Sequence, residues 1–278
     1  MHRAYAKINF GLLVLDKRPD GYHNIATVFH RIDLFDVVKL VRSSRIEVIS
    51  LSGEAPQGEK NVCYKAATLL REHVGTNAGV KIELHKNVPA GAGLGGGSAD
   101  AAVVLQELPR FWDKAIDEKT LNTLALQLGS DVPFFLGKGS ALGTGRGEIL
   151  THFELDIPYT ILLCYPNIHI STGWAYQHVK PANSKLDLRS LVLEGMKEPM
   201  KLVNGLRNDF EPVVFRTHPE VMRVKEAMMR SGAEFASMSG SGSSVYGLFS
   251  RKDFATEAAT YLQQRGFQTF LTSPDFTV

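Results

Sequence analysis

The chain has 278 residues, 44% of them hydrophobic, which is enough for one large domain or two modest ones with their own cores. Its 31 basic and 29 acidic side chains leave a formal net charge of +2, which excludes a general field for nucleic acid or an acidic membrane surface and points to a small-molecule partner. Only Cys63 and Cys164 are present, in no C-x-x-C or His/Cys cluster, so a disulfide framework and a structural zinc are excluded. With no cleavage-site pattern and no membrane-length apolar run, a cytoplasmic location is expected.

From the N-terminus, Ala4-Tyr-Ala-Lys-Ile-Asn-Phe-Gly-Leu12 alternates as a strand, with Ile8, Phe10 and Leu12 on one face and Lys7 and Asn9 on the other. A solvated strand face is the ordinary outcome for such a polar pair. In Arg18-Pro-Asp-Gly-Tyr-His23 the Pro-Asp-Gly is a turn signal, and Tyr22 and His23 open the next extended run. Side by side they suit stacking on and hydrogen bonding to a heterocyclic base, although an interior Tyr and a satisfied His are commoner.

Val80-Lys-Ile-Glu-Leu84 reads as a strand, followed by Pro89-Ala-Gly-Ala-Gly-Leu-Gly-Gly-Gly-Ser-Ala-Asp100, with five glycines in seven residues. Glycine permits positive φ and close backbone approach, and the first turn of a helix presents N–H groups without intrahelical acceptors. Together they form an anion cradle suited to a polyphosphate. Ala101, Leu105 and Leu108 continue at helical spacing, and Pro109 is expected to end the helix. Gly91 to Gly96 also satisfies G-x-G-x-x-G, but residues 110–121 read as more helix or loop, so no Rossmann unit closes. A Walker loop would put Lys where Gly97 stands.

In Leu128-Gly-Ser-Asp-Val-Pro-Phe-Phe-Leu136, Pro133 suits a first helical turn and Asp131 stands just before it. A carboxylate there caps the helix and is kept ionised, as orienting a hydroxyl or accepting its proton requires. Near residue 152 a second unit is expected to start, led by the strand Tyr159-Thr-Ile-Leu-Leu-Cys-Tyr165. Residues 223–230 and 254–262 read as amphipathic helices around a strand at 247–249, an α+β pattern. Met238-Ser-Gly-Ser-Gly-Ser-Ser-Val245 has a linker's composition, yet its setting favours a second loop closing over phosphate or substrate.

Lys7, the glycine loop and the serine-glycine loop at 239–244 stand in the order expected of the GHMP kinase superfamily, which the chain resembles over nearly its full length. The Ala-Lys-Ile-Asn run at 6–9, Asp-Gly-Tyr-His at 20–23 and Gly-Ser-Asp-Val-Pro-Phe-Phe at 129–135 are similar to those of the superfamily's branch that acts on 4-diphosphocytidyl-2-C-methyl-D-erythritol. The resemblance implies a two-domain α+β fold, an ATP-binding domain at 1–152 and a C-terminal domain at 153–278, with the active site in the cleft between them.

The resemblance further implies ATP with Mg2+ as cofactors and phosphorylation of the acceptor's 2-hydroxyl in the non-mevalonate isoprenoid pathway. It puts Asp131 and Lys7 in catalytic positions. Pro89, Gly91, Gly93, Leu94, Gly95, Gly96, Gly97 and Ser98 fall to the nucleotide phosphates. Asn9, Tyr22, His23, Tyr176, Gly240, Ser241 and Gly242 fall to the acceptor, with Tyr22 and Tyr176 on opposite faces of the cytosine and His23 hydrogen-bonding it. Mevalonate-type relatives use a loop Ser as a magnesium ligand where Gly96 and Gly97 stand here, so the metal ligands stay unassigned. Homoserine- or mevalonate-type kinases and a non-catalytic nucleotide-sensing module are the alternatives, and the presence of both Lys7 and Asp131 disfavours the last.

Overall fold

The computed structural model of the chain describes residues 1–277. In chain order its elements are strands β1 (His2–Lys17), β2 (His23–Val41) and β3 (Ile46–Ser52), helix α1 (Val62–His73), strand β4 (Val80–His85), and helices α2 (Gly96–Phe111), α3 (Glu118–Leu128) and α4 (Val132–Leu136). Then follow β5 (Ser140–Thr144), β6 (Ile149–Phe153), β7 (Thr160–Tyr165), α5 (Thr172–His178), α6 (Leu188–Gly195), α7 (Pro199–Gly205), α8 (Glu211–Thr217), α9 (Pro219–Arg230), β8 (Phe235–Met238), β9 (Val245–Phe249), α10 (Lys252–Gln263) and β10 (Gln268–Thr272).

These elements form two compact units, each built from separated stretches of chain. The first takes residues 1–6, 34–90 and 95–138; the second takes 7–33, 91–94 and 139–278. The glycine loop therefore leaves the first unit after Ala90 and rejoins it at Gly95.

In the first unit, β4 pairs antiparallel with β2 from Val37 to Val41 and parallel with β3, where Ile46 faces Val80. Helices α1, α3 and α4 pack on α2. Its Ala101, Ala102, Val104, Leu105 and Leu108 are fully buried, because small and branched side chains on most of the circumference let three neighbours approach. The expected stop at Pro109 does not occur: Pro109 lies inside α2, which runs to Phe111. Proline lacks an amide, yet the next turn closes through Trp112 N donating to Leu108 O at 3.0 Å, and the indole Nε1 donates to Gly79 O at 3.2 Å.

In the second unit, β5 pairs antiparallel with β2 at Thr27 to His30 and with β6, while a separate sheet has the order β10-β7-β9-β8. β7 and β9 are central, and nearly every residue in both is buried. That explains why residues 159–165 read as one continuous apolar run rather than an alternation. Helices α9 and α10 bury Val221, Val224, Met228, Ala255, Ala258 and Leu262 in this unit's core. The serine-glycine segment is no flexible linker: residues 239–244 are all buried in the turn joining β8 to β9.

Candidate active site

In the second unit, Lys7 and Asn9 are 4% and 1% exposed, so the solvated-face expectation fails. Strand β1 is covered on both faces from Lys7 to Val14, and the polar side chains of that stretch are buried along with its apolar ones. Lys7 Nζ donates to Asn9 Oδ1 at 2.8 Å and to Gly93 O at 3.1 Å, and lies 5.4 Å from the centre of the Phe29 ring. Asn9 Nδ2 donates to Thr27 Oγ1 at 2.9 Å, and Thr27 passes the bond on to Gly11 O at 2.6 Å. An unbroken chain of donors thus fixes the amide orientation and the lysine it receives from.

The serine-glycine turn closes on the same group. Ser239 Oγ donates to Gly93 O at 3.0 Å, Ser244 N donates to Ala92 O at 3.2 Å, and Tyr246 OH donates to Asn9 O at 3.0 Å. Gly93 has φ +79°, and a Cβ there would sit 2.2 Å from Ser239 O, so only glycine lets the two loops meet. At Gly240 a Cβ would lie 3.3 Å from Asn9 Oδ1. Ser241 Oγ is paired with Thr172 Oγ1 at 3.0 Å, and Gly242 N donates to Ser239 O at 3.0 Å.

Asn208 was not singled out by sequence. Its Nδ2 donates to Met238 O and Gly240 O, both at 2.8 Å, and its Oδ1 accepts from Phe210 N at 3.0 Å. One buried amide therefore holds the start of the turn, and the polar pair Asn208-Asp209 ahead of Phe210 is the signal that could have found it. His169 is a second residue sequence did not mark, with Nδ1 lying 2.3 Å from where a Cβ on Gly91 would stand.

The aromatic group lies in this unit as well. His23 and Tyr176 are stacked with centroids 5.3 Å apart and planes 16° from parallel, and Tyr176 meets Phe210 edge to face at 4.9 Å. Burial, reinforced by the charge of Lys17, holds the His23 imidazole below its usual pKa, so the neutral ring offers one donor and one acceptor. Tyr22 is 55% exposed rather than interior, with the Arg146 guanidinium 4.8 Å from its ring centre. The flat His23–Tyr176 pair and the exposed Tyr22 ring are among the surfaces this unit offers for stacking.

In the first unit, Gly95 is the residue before α2, in the left-handed region at φ +71°. The first intrahelical bond runs from Ala99 N to Gly95 O at 2.9 Å, so Gly96, Gly97 and Ser98 have amides that precede the helical ladder. Pro89 lies in this unit, and Leu94, buried, is the last loop residue of the second unit. Asp131 directly precedes α4, but its side chain makes no capping bond to that helix, contrary to the capping expectation. With φ −83° and ψ −18° its backbone is already helical, whereas a capping side chain acts from extended backbone. Helix α4 packs against α2, and Gln106 Nε2 donates to Leu136 O at 3.0 Å, so the segment carrying Asp131 is fixed to the helix that begins at the glycine loop.

Beneath that helix start Lys86 is held between Asp36 and Asp100, at 2.6 Å from Asp100 Oδ2. Burial, together with the Asp36 charge, pushes Asp100 up to about 7 against the pull of Lys86. Burial opposes the charge on Lys86, but Asp100 and Asp36 outweigh it and raise its pKa. Among the described residues, no group of three or more His, Cys, Asp or Glu side chains is arranged to hold a metal ion, and no helix is long and apolar enough to cross a membrane.

Comparison with known proteins bears on this arrangement. The GHMP kinases N terminal domain matches residues 61–139, and the GHMP kinases C terminal domain matches residues 188–268. A 4-diphosphocytidyl-2-C-methyl-D-erythritol kinase of Chlorobium limicola is 43% identical, over 99% of this chain and 97% of that protein. The crystal structure of a 4-(cytidine 5'-diphospho)-2C-methyl-D-erythritol kinase superposes with a TM-score of 0.80 at 35% identity, covering 98% of this chain and 97% of that one. Homoserine kinase from Cytophaga hutchinsonii shares the fold, with a TM-score of 0.73 at 18% identity over 97% and 94% of the two chains. The chain belongs to the GHMP kinases, which are ATP-dependent small-molecule kinases, and within them to the 4-diphosphocytidyl-2-C-methyl-D-erythritol kinase family.

Proposed function

We propose that the chain transfers the γ-phosphoryl group of ATP to the 2-hydroxyl of 4-diphosphocytidyl-2-C-methyl-D-erythritol, as a step toward isoprenoid precursors. The observation that carries this reading is the stacked His23–Tyr176 pair beside the exposed Tyr22, an aromatic group suited to a cytosine. A homoserine or mevalonate acceptor would give these rings no partner. Relatives named for that cytidine compound support the same reading.

ATP fits the glycine loop: Gly91, Gly93 and Gly95 all have positive φ, and the α2 amides at Gly96, Gly97 and Ser98 offer donors to phosphate oxygens. The helix dipole contributes only about 0.3–1 kcal/mol, whereas micromolar affinity needs about 8 kcal/mol, so several amide bonds and adenine burial must supply the remainder. When bound, ATP supplies the phosphoryl group. Phosphoryl transfer through a loose transition state demands alignment and charge compensation rather than a strong nucleophile.

In this reading Asp131 orients the hydroxyl and takes its proton late in the transfer, and Lys7 offsets the charge that develops on the phosphoryl oxygens. Asn9 holds Lys7 and faces the acceptor, His23 hydrogen-bonds the base, and Tyr22 and Tyr176 stack on it. The turn at Gly240, Ser241 and Gly242 lines the acceptor's reacting end. Magnesium is proposed to accompany the nucleotide phosphates, as it commonly does when held by substrate phosphates and one or two protein groups. The two-domain division near residue 152 is compatible with family matches at 61–139 and 188–268, but the compact units differ from it: the second begins at Gly139 and also takes residues 7–33.

Asp131→Asn tests the catalytic assignment. Turnover is expected to fall about 10²–10⁴-fold while calorimetric affinities for ATP and acceptor stay within a few-fold. Near-normal turnover would remove Asp131 from the role. Cytidine nucleotides are expected to compete with the acceptor, and failure to compete would remove the cytosine reading.

A further inference from the structure

The cluster formed by Asp36, Lys86 and Asp100 is the most deeply buried charged group of the first unit, and the phosphoryl transfer described above makes no use of it. Its side chains are 0%, 6% and 3% exposed. Asp36 Oδ2 and Asp100 Oδ2 both accept from the single Lys86 ammonium. Asp36 Oδ1 accepts from Asn87 N at 2.6 Å and Val88 N at 2.9 Å, the two residues that lead into the glycine loop. Asp100 lies in the second turn of α2, the helix into which that loop runs. Both flanks of the loop are thereby fastened to one nitrogen. Gly96 tightens the arrangement, since a Cβ there would lie 2.9 Å from Val88 Cγ1 and 3.3 Å from Asp36 Oδ2.

Stability alone gives a poor account of Asp100. Its Oδ1 is buried without a hydrogen-bond partner among the described residues, and two carboxylates share one cation in a site closed to water. Such a group costs folding free energy, and because two carboxylates compete for one ammonium, removing Asp100 leaves no unpaired charge behind, unlike the removal of one member of a simple ion pair. A costly polar group fixed at the root of a binding loop is what preorganisation of a ligand site produces.

We propose that Lys86, clasped by Asp36 and Asp100, is a positioning residue for nucleotide binding, tying the two flanks of the glycine loop together so that the α2 amides are aligned before the nucleotide arrives. This rests on the reading of residues 89–98 as the nucleotide loop. Asp100 is the arm that reaches α2, and its removal leaves Lys86 paired one to one with Asp36.

The test is Asp100→Ala beside Asp100→Asn, with ATP affinity by calorimetry, steady-state constants and thermal unfolding measured on each. In Asp100→Ala the ATP Kd and KM are expected to rise tenfold or more. Its kcat at saturating ATP should fall far less, the acceptor KM should move less than threefold, and the unfolding temperature should hold or rise. Asp100→Asn, which keeps an oxygen for Lys86, is expected to recover ATP affinity to within about threefold of the native chain. Native ATP affinity in Asp100→Ala would overturn the proposal, as would a parallel loss of ATP affinity, acceptor affinity and unfolding temperature. Failure of the native chain itself to bind ATP would instead overturn the reading of the loop. Hydrogen exchange on the native chain needs no variant: a common tie requires the Val88 and Ala99 amides to open with the same free energy, and independent opening of the two flanks contradicts it.

Discussion

Lys7 Nζ stands 2.8 Å from Asn9 Oδ1, two residues along one strand, and the same ammonium donates to Gly93 O at 3.1 Å. Side chains at i and i+2 of a strand share a face, so the pairing follows from the backbone period. The bond to Gly93 does not, since it requires the glycine loop to return to β1, where Lys7 N also donates to Leu94 O at 2.9 Å. A cation is thus built into the loop's own hydrogen-bond network.

Lys7→Met is expected to lower kcat about 10²–10³-fold, the scale of losing one preorganised charge at a developing anion. It takes the lysine donor from buried Asn9 Oδ1, while Gly93 O keeps Ser239 Oγ at 3.0 Å, at a cost of about 1–3 kcal/mol in stability. Lys7→Arg should not restore turnover, because a planar guanidinium does not reproduce a compact ammonium in a closed site. Kinetics with denaturant unfolding on both variants checks this, and recovery by arginine would contradict it.

Gly93→Ala would force a methyl group to 2.2 Å from Ser239 O at a φ of +79°. Either the glycine loop or the β8–β9 turn must move. A stability loss of about 1–3 kcal/mol is expected, with a rise in the KM for ATP. A stable variant with unchanged KM would show that the two loops tolerate separation.

Tyr176→Ala removes one ring of the His23 stack and one edge contact with Phe210. Aromatic pairs contribute about 0.5–1.5 kcal/mol beyond burial, so the KM for the cytidine substrate should rise roughly 2- to 10-fold with little change in the KM for ATP. Equal effects on both substrates would detach this ring from the cytosine.

His30 supplies a pH dependence unrelated to catalysis. Its Nδ1 is 2.8 Å from Ser140 Oγ, it packs against Phe10, and burial lowers its pKa to about 4 from 6.5. The ring is neutral when folded and takes up a proton more readily when unfolded. Its contribution is present in full above about pH 6.5 and is lost as pH falls toward 4. Between pH 7.5 and 4.5 the native chain should lose about 2–3 kcal/mol more stability than His30→Gln. Parallel pH profiles for the two would contradict this.

Punctuation made the glycine loop and the Asp131 segment readable in the sequence, because glycine and proline constrain the backbone wherever they occur. The helix after the loop was readable from its apolar spacing, but its end was not, since Pro109 costs little where Trp112 closes the next turn through Leu108. Alternation along β1 gave the shared face of Lys7 and Asn9 and missed their burial, because alternation reports two faces and says nothing of what covers each. The Asp36–Lys86–Asp100 cluster left only the trace of a lone charge among alanines at 99–102, as its members come from β2, the segment after β4 and α2, 50 and 14 residues apart along the chain. Asn208 escaped for the same reason: its partners lie 30 and 32 residues away.

The most direct test is ADP release by the chain with magnesium-ATP and 4-diphosphocytidyl-2-C-methyl-D-erythritol, run beside homoserine, mevalonate and a control without acceptor. Turnover with the cytidine compound alone is the predicted result. Turnover with homoserine or mevalonate, or none with the cytidine compound, would contradict the proposed acceptor.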